Sequence, residues 1–86
     1  MAHPITYTPT FKRGFKSLSS QDQSRVSKAV ADLSLSKDPR ELGLKKHGEL
    51  SNVYAYEVGQ RIRILYDFQG DELLLIRVGH HEAVYL

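Results

Sequence analysis

Arg63, His81 and Tyr85 combine three side-chain types that suit one reaction, the cutting of an RNA phosphodiester. RNA carries its own nucleophile, the 2′-hydroxyl beside each phosphorus. Its attack needs a proton acceptor, a proton donor for the leaving 5′ oxygen, and cationic hydrogen-bond donors for the charge that builds on the phosphate. A guanidinium presents a fixed fork matched to phosphate oxygens. An imidazole gives or takes a proton near neutral pH. A phenol stacks on an unpaired base or hydrogen-bonds the phosphate. Such a site needs no metal and no cofactor.

Other residues would hold the strand rather than cut it. Lys45 and Lys46 fall in a loop and suit phosphate positioning. Arg61 and Arg77 add positive charge, and Tyr54 and Tyr56 add two rings on one strand face. Each has an ordinary alternative. Arg63 also reads as a solvated strand charge. Arg77 suits an ion pair with Asp67 or Glu57 across a sheet, worth under about 1 kcal/mol. Tyrosines suit a strand whatever it binds, and Tyr85 also reads as an apolar anchor for the C-terminus. His80-His81 is a poor metal pair, because neighbouring strand side chains point apart and zinc takes three or four ligands.

With 86 residues, the chain is expected to form one domain over 1–86. It has no Cys, which excludes a disulfide framework and a thiol nucleophile. Met1-Ala2-His3-Pro4 lacks the charged start and apolar run of a signal peptide. The apolar run Leu73-Leu74-Leu75-Ile76 is far too short to cross a bilayer. A cytoplasmic location with no membrane partner is the expectation. The net charge is +2, and its placement says more than its size. Residues 1–21 hold Lys12, Arg13 and Lys16 and no acid, so part of the surface suits a polyanion.

The elements that must position these groups follow from periodicity. Ile5-Thr6-Tyr7-Thr8 alternates and predicts a short strand. Pro9-Thr10 opens a helix whose Phe11, Phe15 and Leu18 share one face. Gly14 weakens that helix by about 1 kcal/mol relative to Ala, so it needs packing. Ser20 with Gln23 predicts a capping box for a second helix, which buries Val26, Ala29, Val30 and Leu33. Asp38-Pro39 ends it, and residues 39–51 read as a loop. Three strands follow: 53–58, 61–68 and 72–79. A tight turn at Gly59-Gln60 joins the first two, and Gln69-Gly70-Asp71 joins the last two. The expected fold is α+β in the order β-α-α-β-β-β, a small antiparallel-rich sheet with two helices on one face. Alternation sends Ile62, Ile64, Tyr66 and Phe68 toward the helices, with Leu74, Ile76 and Val78. Arg61, Arg63, Arg77 and His81 then point away, and Tyr85 is close enough in sequence to fold back beside His81.

Over nearly its whole length the chain resembles the RelE/ParE toxin superfamily of type II toxin–antitoxin systems. The resemblance rests on the helical hairpin Phe11 to Leu33, the strand pair Val53 to Tyr66 with its Arg-Ile-Leu-Tyr segment, and the ending Val78-Gly79-His80-His81 with Val84-Tyr85. It implies a RelE-like, ribosome-dependent and metal-independent mRNA endonuclease acting on mRNA in the ribosomal A site. It also implies a cognate antitoxin, docking as an added helix or strand on the basic face. Arg63 falls at the family's phosphate-stabilising arginine, His81 at the basic residue after Val-Gly, and Tyr85 at the C-terminal tyrosine. Two lysines used by RelE-type sites on the second strand are replaced by Tyr54 and Tyr56, while alternation puts Glu57 on the other face. Proton transfer would then fall more heavily on His81, as in the YoeB-like branch. Two other activities stay open: inhibition of DNA gyrase, as in ParE, and a non-toxic co-repressor role with the antitoxin.

Overall fold

The computed structural model describes residues 2–45 and 53–80. Strand β1 (Ile5–Tyr7) leads into helices α1 (Pro9–Lys16) and α2 (Ser20–Leu35). A 3-10 turn at Pro39–Glu41 and a two-residue strand β2 (Leu44–Lys45) follow. The chain then forms β3 (Tyr54–Val58), β4 (Ile62–Gln69) and β5 (Glu72–His80). The five strands lie in the order β1-β5-β4-β3-β2. β1 runs parallel to β5, and the other neighbours are antiparallel. The expected α+β layering holds, with one more short strand. Part of the expected loop at 39–51 is the 3-10 turn and β2; residues 46–51 of it lie outside the described residues.

Both helices bury the predicted stripes. Phe11, Leu18, Val26, Ala29, Val30 and Leu33 pack on Ile62, Ile64, Tyr66 and Phe68 from β4. Gly14 is needed for this approach: a Cβ there would collide with the Val78 carbonyl oxygen. α2 starts one residue earlier than the capping box predicted. Ser19 is the N-cap and accepts from the Asp22 amide at 3.2 Å, while the Gln23 side chain donates to the Phe15 carbonyl at 2.9 Å. Gln23 thus ties α2 to the end of α1 instead of capping its own helix. Tyr66, fully buried, donates to the Pro39 carbonyl at 2.6 Å and pins the 3-10 turn to the sheet.

Two irregularities decide which side chains reach the helix-free face. The β3–β4 connection has three residues, because Val58 pairs with Ile62. The two-residue turn read from Gly59-Gln60 would have paired Tyr56 with Arg63. The extra residue pairs Glu57 with Arg63 instead, and a one-residue slip moves every side chain to the other face. Gly59, at φ +67°, supplies the left-handed step of this loop.

The second irregularity is a bulge. Leu65 pairs with Arg77 but the next residue, Tyr66, pairs with Leu75, which leaves Ile76 unopposed. Alternation therefore resets in mid-strand. Leu73 and Leu75 are fully buried under the helices, whereas Ile76 packs with Ala55 and Leu65 on the opposite side. The expected placement of Leu74 and Ile76 toward the helices is thus reversed, and Leu73 and Leu75 take their place there. Val78 and Arg77 stay as predicted, because they lie beyond the reset. Thr8 holds the bulge: its amide donates to Leu75 and its hydroxyl to the Ile76 carbonyl at 2.6 Å.

Candidate phosphodiester-cleaving site

On the face that no described helix covers, Glu57, Arg63 and Gly79 form one cross-strand row and Ala55, Leu65 and Arg77 the next. Two guanidinium-bearing positions therefore stand about 7 Å apart in strand geometry. Arg63 Nη2 lies 2.5 Å from Glu57 Oε1, with the arginine side chain 24% and the glutamate 55% exposed. The pair is reachable from solvent, so an incoming phosphate can take the place of the carboxylate. Ala55, Leu65, Val53 and Ile76 make a small apolar floor beside it. Charges above such a floor interact more strongly than in bulk water.

This arrangement supplies a forked cation and a carboxylate at contact distance. The guanidinium suits the charge that develops on a phosphoryl group, and the carboxylate is a proton acceptor. Glu57 is the residue that sequence reading missed. The signal was the hairpin loop length, and Gly59-Gln60-Arg61 is equally compatible with a three-residue loop carrying a left-handed glycine.

The remaining predicted residues separate. His81, Tyr85 and Lys46 lie outside the described residues. Arg61 is in the β3–β4 turn and exposed. Lys45 ends β2 at the sheet edge, opposite Tyr54. Tyr54 and Tyr56 do not join Arg63: both sit half-buried on the helix side, packed against the core. Tyr54 stacks on Tyr66 with centroids 5.8 Å apart. Among the described residues no cluster of three or more His, Cys, Asp or Glu could hold a metal ion.

On the other side, α1 and α2 leave a groove of about 400 Å³ lined by Tyr7, Phe11, Phe15, Val26 and Val30, with Lys12 and Lys16 at its rim. Among the described residues no helix is long and apolar enough to cross a membrane.

Residues 5–86 match the family described as ParE-like toxin of type II bacterial toxin-antitoxin system. The chain belongs to that family. Its fold is that of the RelE/ParE toxins. It is 23% identical to a chain of the toxin–antitoxin complex RelBE2 from Mycobacterium tuberculosis, covering 94% of this chain and 100% of that one, at a TM-score of 0.80. Against YafQ from E. coli the identity is 15%, over 98% of this chain and 99% of that one, again at 0.80. A mutant of E. coli RelE in the free state is 19% identical, over 99% and 90%, at 0.76. Comparison with curated protein sequences finds no match.

Proposed function

We propose that this toxin is a metal-independent endoribonuclease that cuts mRNA in the ribosomal A site. The observation that carries the reading is the Glu57–Arg63 contact on the helix-free sheet face, two residues along the strand from the level of Arg77. Arg63 clamps the scissile phosphate. Glu57, displaced from the guanidinium as the phosphate enters, accepts the 2′-hydroxyl proton. His81 returns a proton to the leaving 5′ oxygen, and Tyr85 orients the nucleotide or shares in proton acceptance. Likeness of fold to RelE and YafQ supports this reading. The experiment is induction followed by mapping of new mRNA 5′ ends, with Arg63→Ala and His81→Gln beside the parent. Cleavage by the parent and its loss in both variants is the expected result. Equal cleavage by all three would reject the assignment.

A second reading is inhibition of DNA gyrase. The ParE-like description of the matching family favours it, as does the carboxylate that already occupies Arg63. DNA damage with intact mRNA after induction would select it.

In either case the partner is a cognate antitoxin, as the RelBE2 complex suggests. The α1–α2 groove suits one face of an amphipathic segment from that partner: aromatic and branched walls for its apolar side chains, and Lys12 and Lys16 for flanking acids.

A further inference from the structure

A second groove, of about 340 Å³, curls round the far end of β4 and is lined by Arg40, Tyr54, Asp67, Phe68, Gln69 and Gly70. Its polar groups are already held in place. Asp67 Oδ1 accepts from the Phe68 amide at 2.7 Å, and Oδ2 accepts from Gln69 Nε2 at 2.9 Å. Each carboxylate oxygen has a second lone pair, so the group remains a fixed two-pronged acceptor. Arg40 is locked as well. Asp38 receives its Nε at 2.9 Å and its Nη2 at 3.2 Å, and the guanidinium lies over the Phe68 ring at 5.8 Å. That leaves a flat, oriented cation with its charge already balanced. The Tyr54 ring, stacked on Tyr66, forms another flat wall.

We propose that this groove is a nucleobase subsite for single-stranded RNA and that it selects guanine. The inference rests on the reading that RNA is the substrate. A carboxylate repels phosphate but accepts from base edges. Guanine presents two adjacent N–H donors, N1–H and N2–H, matched to the two oxygens of one carboxylate. Adenine and cytosine present one exocyclic amine in that position, and uracil one ring N–H. Arg40 and Tyr54 are the kinds of planar surface on which unpaired bases stack. Asp67 lies on the same strand and the same face as Arg63, four residues away, or about 13 Å. A short run of unstacked nucleotides spans that distance, so a base read here would fix which phosphate meets Arg63. Tyr54 thereby regains contact with RNA, but at the opposite end of the strand from the cleaving pair.

The test uses the purified full chain and short RNAs with 2′-O-methyl sugars, which lack the hydroxyl that would let them be cut. Affinity and amide chemical shifts are measured for oligonucleotides carrying one guanine, one inosine or one adenine between uridines. The guanine oligonucleotide should bind about tenfold more tightly than the adenine one, with inosine, which lacks the second donor, falling between. The shifts should centre on residues 67–70. Asp67→Asn and Gln69→Ala should each remove the preference, whereas Arg63→Ala, which loses the phosphate clamp, should weaken all three oligonucleotides alike. Base-indifferent binding, or shifts that leave 67–70 unmoved, would overturn the subsite. Failure of the wild-type chain to cut mRNA in cells would instead remove the endonuclease reading, so the two failures are distinct.

Discussion

Glu57 and Arg63 face each other across the β3–β4 hairpin with carboxylate and guanidinium 2.5 Å apart. A pair this exposed contributes little to stability, about 0–1 kcal/mol. Under the endonuclease reading its geometry matters for chemistry more than for folding. Arg63→Ala should lower mRNA cleavage by roughly a hundredfold or more, while the thermal midpoint moves by no more than a few degrees. Glu57→Gln separates two roles. A proton acceptor lost costs about 10²- to 10⁴-fold in rate with RNA binding intact. A mere counter-ion lost would tighten RNA binding without slowing the cut. Primer-extension rates and binding isotherms on both variants decide between them.

Gly14 is predicted to resist substitution in a direction opposite to helix propensity. In an exposed helix Gly14→Ala would gain about 1 kcal/mol. Here the added methyl meets the Val78 carbonyl oxygen, a backbone atom that cannot rotate away. α1 must lift from β5, which costs about 1–3 kcal/mol as overpacking. Urea denaturation gives the sign directly. A stabilised variant would mean that α1 does not press on β5 at Val78.

Tyr66 gives a stability prediction at alkaline pH. Burial, with the nearby Tyr54 and Tyr56 phenols adding to it, pushes the Tyr66 hydroxyl well above the ordinary phenol range. A folded-state pKa raised above the unfolded value means the folded protein holds its proton longer. The contribution is fully present below about pH 10 and is lost as pH rises through the interval above it. Tyr66→Phe should remove this alkaline slope. At neutral pH it should cost about 1–3 kcal/mol, because the Pro39 carbonyl loses its buried donor. Denaturant midpoints measured between pH 8 and 11 on both proteins test the two effects together.

The groove between α1 and α2 makes a partner prediction. Lys12→Glu with Lys16→Glu reverses charge at exposed rim positions and leaves the apolar walls untouched. Association with an acidic antitoxin segment should slow and lose its salt dependence, since rim charges act mainly on the encounter rate. Stopped-flow association at two ionic strengths reads this. An unchanged rate would place the antitoxin elsewhere on the toxin.

The helical half of the fold was legible because its signals are local. Phe11, Val26, Val30 and Leu33 recur with the helical period, and each is buried where the period puts it. The sheet was harder because its faces depend on counts that composition does not reveal. One extra loop residue after Val58 exchanged Tyr56 for Glu57 opposite Arg63. One unpaired residue, Ile76, reversed the first half of β5 and spared the second. Arg77 was placed correctly from the Val78 end, since it lies on the same side of the bulge as Val78. Thr8, which holds that bulge, is 68 residues from Ile76 in sequence, and no local pattern connects them.

Thr8 therefore carries the last prediction. Its hydroxyl accepts from the Phe11 amide at 3.0 Å as the cap of α1, and donates to the Ile76 carbonyl at 2.6 Å. One side chain starts the helix and fixes the point at which β5 changes face. Thr8→Val keeps the shape and removes both bonds. The lost cap should cost about 0.5–2 kcal/mol. Thr8→Ser keeps both bonds and should restore most of that stability. The activity readout distinguishes a positioning role from a structural one. If the bulge sets where Arg77 stands beside Arg63, Thr8→Val should reduce cleavage under conditions where the protein is fully folded, and Thr8→Ser should recover it. Cleavage that merely tracks the folded fraction would assign Thr8 to stability alone.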